Sequence, residues 1–290
     1  MIDLKPSIRR IEALLEEGTE PSVTYAALEA RLALERAAYD RVRQCHDYIS
    51  HADLKRWQPS GIVNTLLAEV DQHAGSSRTL YISKNPAIPG VKPSDDDYVK
   101  IGTEEGFDPK LVGKLWNALA KLALHIKIPE SRDDNIPAYG DKDAIVAKVR
   151  EALKELERLS ATTMTFSGFG EEVSFKCVCG VKNKRRAALL REGQVVACIN
   201  PDCKRSWKVS KDGDEFGFEA QIIEIDCEKC NEANGIPWRW FLDMRFDQTG
   251  SFSCRGCRHK NYVQWRLTQV RPGKHPPSKL QRREVNASDQ

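Results

Sequence analysis

The sequence predicts an α+β chain: an N-terminal all-α helical bundle with a small hairpin insert, then two small β-rich modules and a basic tail. Three observations predict it. Apolar residues recur at steps of three and four through the first 160 residues, and strand-length runs between turn residues replace them beyond. Of nine cysteines, Cys45 alone precedes residue 177, while the other eight fall between Cys177 and Cys257. Charge divides at the same place. Residues 1–162 hold 23 Lys+Arg against 26 Asp+Glu, a net of −3, and residues 163–290 hold 22 against 16, a net of +6. The expected division is a bundle over 1–160, modules over 163–212 and 213–270, and a disordered basic tail over 271–290.

The helical elements follow in order. A short amphipathic helix runs from about Leu4 to Glu17 and ends at Gly18. A long helix follows from near Ser22 to Ile49, with Tyr25, Leu28, Leu32, Tyr39, Val42 and Ile49 as its expected inward stripe. Ser50-His51-Ala52-Asp53 fits a capping box for a short helix that Pro59 stops. Ser60 caps the next helix, which runs to about Val70. Thr79 to Ser83 and Tyr98 to Ile101 are strand candidates that pair across a Pro- and Asp-rich loop. Asp108-Pro109 opens a helix to about His125, with Leu111, Leu115, Leu119 and Leu122 inward. After a polar loop, Asp141 caps a last helix to about Leu159, with Ile145, Val149, Leu153 and Leu156 inward.

Shorter periods follow. Glu172 to Lys176, Gln194 to Cys198, Trp207 to Ser210, Phe216 to Ile225, Trp238 to Phe246 and Tyr262 to Val270 read as strands. Trp207, Trp238, Trp240, Phe241 and Trp265 are expected to build the small cores between them. No run approaches the roughly 18 apolar residues of a membrane helix. The start, Met1 to Pro6, has no apolar stretch of the secretory kind. The expected compartment is therefore the reducing cytoplasm, where paired cysteines hold metal rather than form disulfides.

The eight clustered cysteines form two sets of four. The first is Cys177 and Cys179 with Cys198 and Cys203, and the second is Cys227 and Cys230 with Cys254 and Cys257. Two cysteines on a tight turn present both sulfurs to one side. Two such turns facing each other complete a tetrahedron of thiolates about 2.3 Å from a zinc ion. Gly180 and Gly256 suit turns that need positive φ. The second set has the regular spacing, whereas C-x-C and C-x-x-x-x-C in the first do not. A four-sulfur tetrahedron also suits iron, and zinc is the commoner structural occupant, so two structural Zn²⁺ are expected. Residues 174–270 thus resemble the zinc-ribbon class, in which two knuckles on β-hairpins enclose one Cys₄ zinc. That resemblance implies closed structural sites and leaves activity open.

Lys182, Lys184, Arg185 and Arg186 lie between the knuckles of the first set, and Arg255, Arg258 and Lys260 surround the last knuckle. Basic loops of this kind are candidate contacts to a phosphate backbone. Two zinc ions on eight thiolates add −4, which reduces the local +6 to about +2. The partner is then nucleic acid or, alternatively, a protein; the oligomeric state is not legible. No Gly-rich phosphate loop or G-x-S-x-G elbow is present. Arg41 and His46 in the long helix resemble the R-x₄₋₆-H motif of HEPN ribonucleases, where the histidine moves a proton and the arginine stabilises phosphate charge. Five residues apart, they point about 140° from each other on a straight helix. The competing account makes His46 a hydrogen-bonded core histidine and Cys45 a packing residue. The leading expectation is a non-enzymatic binding protein; a ribonuclease or a protein–protein adaptor are the alternatives.

Overall fold

The computed structural model describes residues 2–50, 54, 59–86, 88–91, 94–126, 128–264 and 266. Of the expected short helix before Pro59 only Leu54 is described, and Trp265 and the tail lie outside the described residues. The chain forms two compact units. One comprises Met1–Ser174 with Lys184–Leu189; the other takes Phe175–Asn183 and the chain from Leu190 onward. No described helix is long and apolar enough to cross a membrane.

In the first unit, helix α1 (Lys5–Glu17) has a proline in its first turn and closes on Gly18. Gly18 adopts φ 64°, a left-handed conformation with a steric cost for any Cβ, and its N–H reaches the Leu14 carbonyl. Thr19 starts helix α2 (Glu20–Gln44) by accepting the Ser22 N–H. The core face of α2 is not the expected one. Ala26, Ala27, Ala30, Ala33, Ala37 and Ala38 are buried with Val23 and Leu34, while Tyr25 is 61% exposed and Leu32 and Tyr39 also face outward. The reason is distance: α2 packs against both α1 and helix α5 (Lys142–Ser160), and alanines let helix axes approach closely. Periodicity located the helix, but size selection among neighbouring stripes reversed which face is buried.

Helix α3 spans Pro59–Glu69, so Pro59 opens it and Ser60 lies in its first turn instead of capping it. The two helices after it start where their caps predict. Asp108 Oδ1 accepts the Lys110 and Leu111 amides to open helix α4 (Pro109–Leu119), and a π-helical turn continues it over Ala120–Leu124. Leu115 and Leu119 are buried as expected, with Val112 and Trp116; Leu111 is exposed. Asp141 Oδ1 accepts the Ala144 amide at the start of α5, whose Ile145, Val149, Leu153 and Leu156 are all buried.

Strands β1 (Arg78–Ser83) and β2 (Tyr98–Glu104) form the predicted antiparallel insert, with a register shift at Leu80/Tyr81. A buried ion network fastens it to the bundle. Glu104, 2% exposed, pairs with Arg41 of α2 and with Arg78, whose Nη2 also meets Asp71 at 2.5 Å.

The second unit contains small antiparallel sheets. Strands β3 (Glu172–Lys176) and β4 (Lys182–Arg186) pair as a hairpin. Strands β5 (Val195–Ala197), β6 (Ser206–Asp212) and β7 (Glu215–Ala220) form a meander. Strands β8 (Ile222–Asp226) with β9 (Ala233–Pro237), and β10 (Thr249–Ser253) with β11 (Lys260–Gln264), make two further hairpins. The predicted strand from Phe216 to Ile225 is two strands broken at Gln221. The Gln221 amide bonds the Ser206 carbonyl while its own carbonyl receives the Trp238 N–H. The predicted strand from Trp238 to Phe246 is instead a helical turn, α6 (Trp238–Leu242), followed by turns. Its aromatic residues suggested strand, but this segment joins β9 of one hairpin to β10 of the next, where the backbone leaves the first sheet, and tertiary pairing outweighs β-propensity. Phe175 stacks on Phe218 at 4.2 Å and meets Trp207 edge-on at 5.4 Å. Trp240 packs on Gly250, where any Cβ would come within 2.2 Å of the ring.

Candidate metal centres

Each cysteine pair lies on the turn that joins or follows one of these short strands. In three of the four turns the residue after the second cysteine is left-handed: Gly180 (φ 87°), Asn231 (φ 57°) and Arg258 (φ 59°). Gly256 is not among the positive-φ residues, so the expectation for it is corrected. The left-handed step falls one residue after the second cysteine, where it turns the strand out of the loop. All four turns close alike. The first cysteine's amide donates to a carbonyl two residues past the second: Cys177 to Val181, Cys198 to Arg205, Cys227 to Glu232 and Cys254 to His259.

The sulfurs converge in two cages. Within each set of four, all Sγ atoms lie within 4.8 Å of one another. Four of the edges are Cys177–Cys203 at 3.8 Å, Cys179–Cys198 at 3.6 Å, Cys227–Cys257 at 3.7 Å and Cys230–Cys254 at 3.6 Å. A disulfide needs about 2.05 Å. A tetrahedron with metal–sulfur bonds of about 2.3 Å has sulfur–sulfur edges of about 3.8 Å. The observed edges match the second geometry and exclude the first, so each set is compatible with one metal ion. The irregular spacing of the first set does not prevent closure. The first cysteine of every turn is buried; Cys179 and Cys230 are exposed, and Cys203 and Cys257 are intermediate.

Thiols packed this tightly share protons unevenly. Burial pushes the Cys198 thiol up to about 12. Burial also works against ionising Cys179, but the Val181 amide and the three neighbouring thiols outweigh it and bring that thiol down to about 7. At Cys227 burial is likewise outweighed, by the Lys229 and Cys230 amides and then by the Asn261 side chain, and its thiol falls to about 6. Binding metal at neutral pH must therefore displace protons.

Sequence reasoning missed a set of buried asparagines around these cages. Asn183, Asn234 and Asn261 are each 4% exposed or less. Each stands four residues after the second cysteine of its turn and donates Nδ2–H to the first cysteine of the opposite turn. Asn183 reaches Cys198 at 3.8 Å, Asn234 reaches Cys254 at 3.7 Å and Asn261 reaches Cys227 at 3.6 Å. Each Oδ1 also accepts the amide after that same cysteine: Ile199, Arg255 and Glu228 in turn. The signal was in the sequence as a thrice-repeated C-x-x-x-N.

The basic candidates separate into two groups. Arg185 and Arg186 are 2% and 6% exposed, so neither presents its guanidinium to a phosphate backbone. Arg186 stacks over Tyr48, bonds Glu172, and donates to the Ser167, Gly168 and Gly170 carbonyls. It is a structural tie within the first unit. Lys184 is half-buried and faces Glu172 at 3.7 Å. Lys182, Arg255, Arg258 and Lys260 are exposed; Arg255 pairs with Glu232 at 2.9 Å, and Lys260 lies over the Tyr262 ring at 5.5 Å.

Arg41 and His46 are not brought together. Arg41 is spent on Glu104 and on the Glu105 carbonyl, and burial lowers its ordinary value to about 10. His46 is 75% exposed and meets Asp47 at 3.2 Å. It is not the core histidine the stripe suggested, because α2 ends at Gln44 before that register reaches it. Cys45 is buried, and burial pushes its thiol up to about 11, as an inert packing residue requires.

The chain matches no protein-family model, no curated protein and no solved structure.

Proposed function

We propose that the chain is a zinc-stabilised binding protein of a reducing compartment such as the cytoplasm. Its two cysteine modules act as tandem zinc ribbons that contact nucleic acid or a nucleic-acid-handling complex. One observation carries the metal half of this reading: eight sulfurs in two cages with the edge lengths of a tetrathiolate. Four thiolates leave no open position for water, so the ions would be structural. Metal analysis of purified protein is expected to return two equivalents of zinc per chain. One equivalent would overturn the first centre, and iron with a visible charge-transfer band would overturn zinc.

The nucleic-acid half is supported by exposed cations and exposed rings, with Lys260 lying over the Tyr262 ring. Lys182, Arg258 and Lys260 are exposed, as are Tyr262, Trp238 and Phe246. Cations that meet phosphates and aromatic faces that stack bases are the components of single-strand binding. A protein partner is favoured by a different observation: Trp238, Leu242 and Phe246 leave apolar surface on one short segment. The ribonuclease alternative draws no support from Arg41 and His46, which lie apart and are otherwise engaged.

The test uses exposed residues only, because removing Arg185 or Arg186 would damage the fold. Lys182→Ala, Arg258→Asn and Lys260→Ala combined are expected to weaken single-stranded binding at low salt and flatten its salt slope by about 2, as three lost phosphate contacts require. Asparagine replaces Arg258 because it tolerates the left-handed backbone there. Absence of binding to single-stranded or duplex DNA and RNA would leave the adaptor.

A further inference from the structure

The two cages are built on one plan, with a single departure. Three of the four turns carry the asparagine that spans to the opposite turn. The second cage has both of its asparagines, Asn234 and Asn261, acting reciprocally on Cys254 and Cys227. The first cage has only Asn183, acting on Cys198. The strand register identifies what replaces the missing one. Asn234 pairs with Ile225 and Asn261 with Phe252, each two residues before the first cysteine of its turn. The corresponding pair in the remaining turn is Val196 with Trp207. Trp207 Nε1 and the neighbouring Ser206 Oγ are both buried and have no hydrogen-bond partner among the described residues. No side-chain amide among the described residues reaches Cys177 Sγ, although that sulfur is as buried as its three counterparts. The same turn also lacks the left-handed residue that follows the second cysteine in the other three.

Four thiolates around a divalent ion leave a net charge of −2 in a partly buried cage. An amide N–H on a sulfur spreads that charge, and a carbonyl oxygen fixed on the next backbone amide orients the whole turn. We propose that Asn183, Asn234 and Asn261 are positioning residues for the two metal centres. The first centre, with one such residue against two, is the labile one and gives up its metal first. This rests on the reading that both cages hold zinc.

The experiment starts from full-length protein shown to carry two equivalents of zinc. A chromophoric chelator then draws the metal out while its absorbance is followed. Release is expected in two phases of one equivalent each, separated by about 10- to 100-fold, the usual effect of losing such an outer partner. Asn234→Ala and Asn261→Ala should each accelerate the slow phase alone, and Asn183→Ala the fast phase alone. Asn234→Asp serves where the alanine variant does not fold, because it keeps the shape and the acceptor and removes the N–H donor. Cobalt-substituted protein supplies a second readout: loss of an N–H donor should move the sulfur-to-cobalt charge-transfer band to lower energy. Fewer than two equivalents at the outset would defeat the zinc reading itself. Two equivalents leaving in a single phase, or a fast phase accelerated by Asn234→Ala, would overturn the asymmetry and leave that reading intact. An unmoved cobalt band in a folded Asn234→Asp variant would overturn the positioning role.

Discussion

Cys230→Ser is expected to cost the second module its fold and leave the helical unit intact. The module running from β8 to β11 is near the size at which an apolar core alone seldom suffices, and its buried residues are few: Cys227, Asn234, Phe241, Cys254 and Asn261. Metal binding of roughly 10–16 kcal/mol would supply most of its folding energy. Removing one thiolate opens the cage and exposes the remaining sulfurs to protons. The bundle has an independent core from α1, α2, α4 and α5. Metal content should fall from two equivalents to one, and limited proteolysis should cut beyond about residue 220 while sparing the first 160. Simultaneous loss of the bundle would show that both units fold as one cooperative body.

Arg41→Ala is expected to destabilise the helical unit by roughly 1–3 kcal/mol, the cost of removing a donor from buried acceptors. Glu104 would keep Arg78 but lose the guanidinium of α2, and the Glu105 carbonyl would lose its donor. The Glu104 carboxylate, held by Arg78 alone, would lose its tie to α2 where β2 joins the bundle. His46→Ala, an exposed change, should alter stability by no more than about 0.5 kcal/mol. Chemical denaturation of the two variants checks the contrast. Equal, small effects would show that the network around Glu104 is not a structural tie.

Much of this architecture was legible because it rests on local chemistry. Thr19, Asp108 and Asp141 accept amides at helix starts, and Gly18 turns a helix end, whatever surrounds them. The cysteine sets were legible for a related reason: two thiols on one turn define a half-cage before any long-range contact forms. The α5 stripe is legible because its large apolar residues, Ile145, Val149, Leu153 and Leu156, face a single core.

Other elements depend on which neighbour is near. The buried face of α2 is its alanine face because α1 and α5 approach from either side, and no periodicity distinguishes that from a stripe of tyrosine and leucine. β4 was hidden as a run of cations, because Lys182 to Arg186 looks like solvated surface until Arg186 finds three carbonyls, Glu172 and Tyr48. The segment after Trp238 carries strand-like aromatics, yet the hairpins on either side need a turn there.

Caps, periodicity and turn spacing act over a few residues, and they suffice to place helices first, small cysteine-bearing sheets after them, and two complete sets of four thiols among those sheets. Long-range contacts alone set those sulfurs at tetrahedral edge lengths, put Arg185 and Arg186 inside, and commit Arg41 to Glu104. The same holds for the three asparagines that reach across to the opposite turns. Each of these depends on a partner far away in the chain, and burial converts an ordinary charge or amide into a committed contact only when that partner arrives.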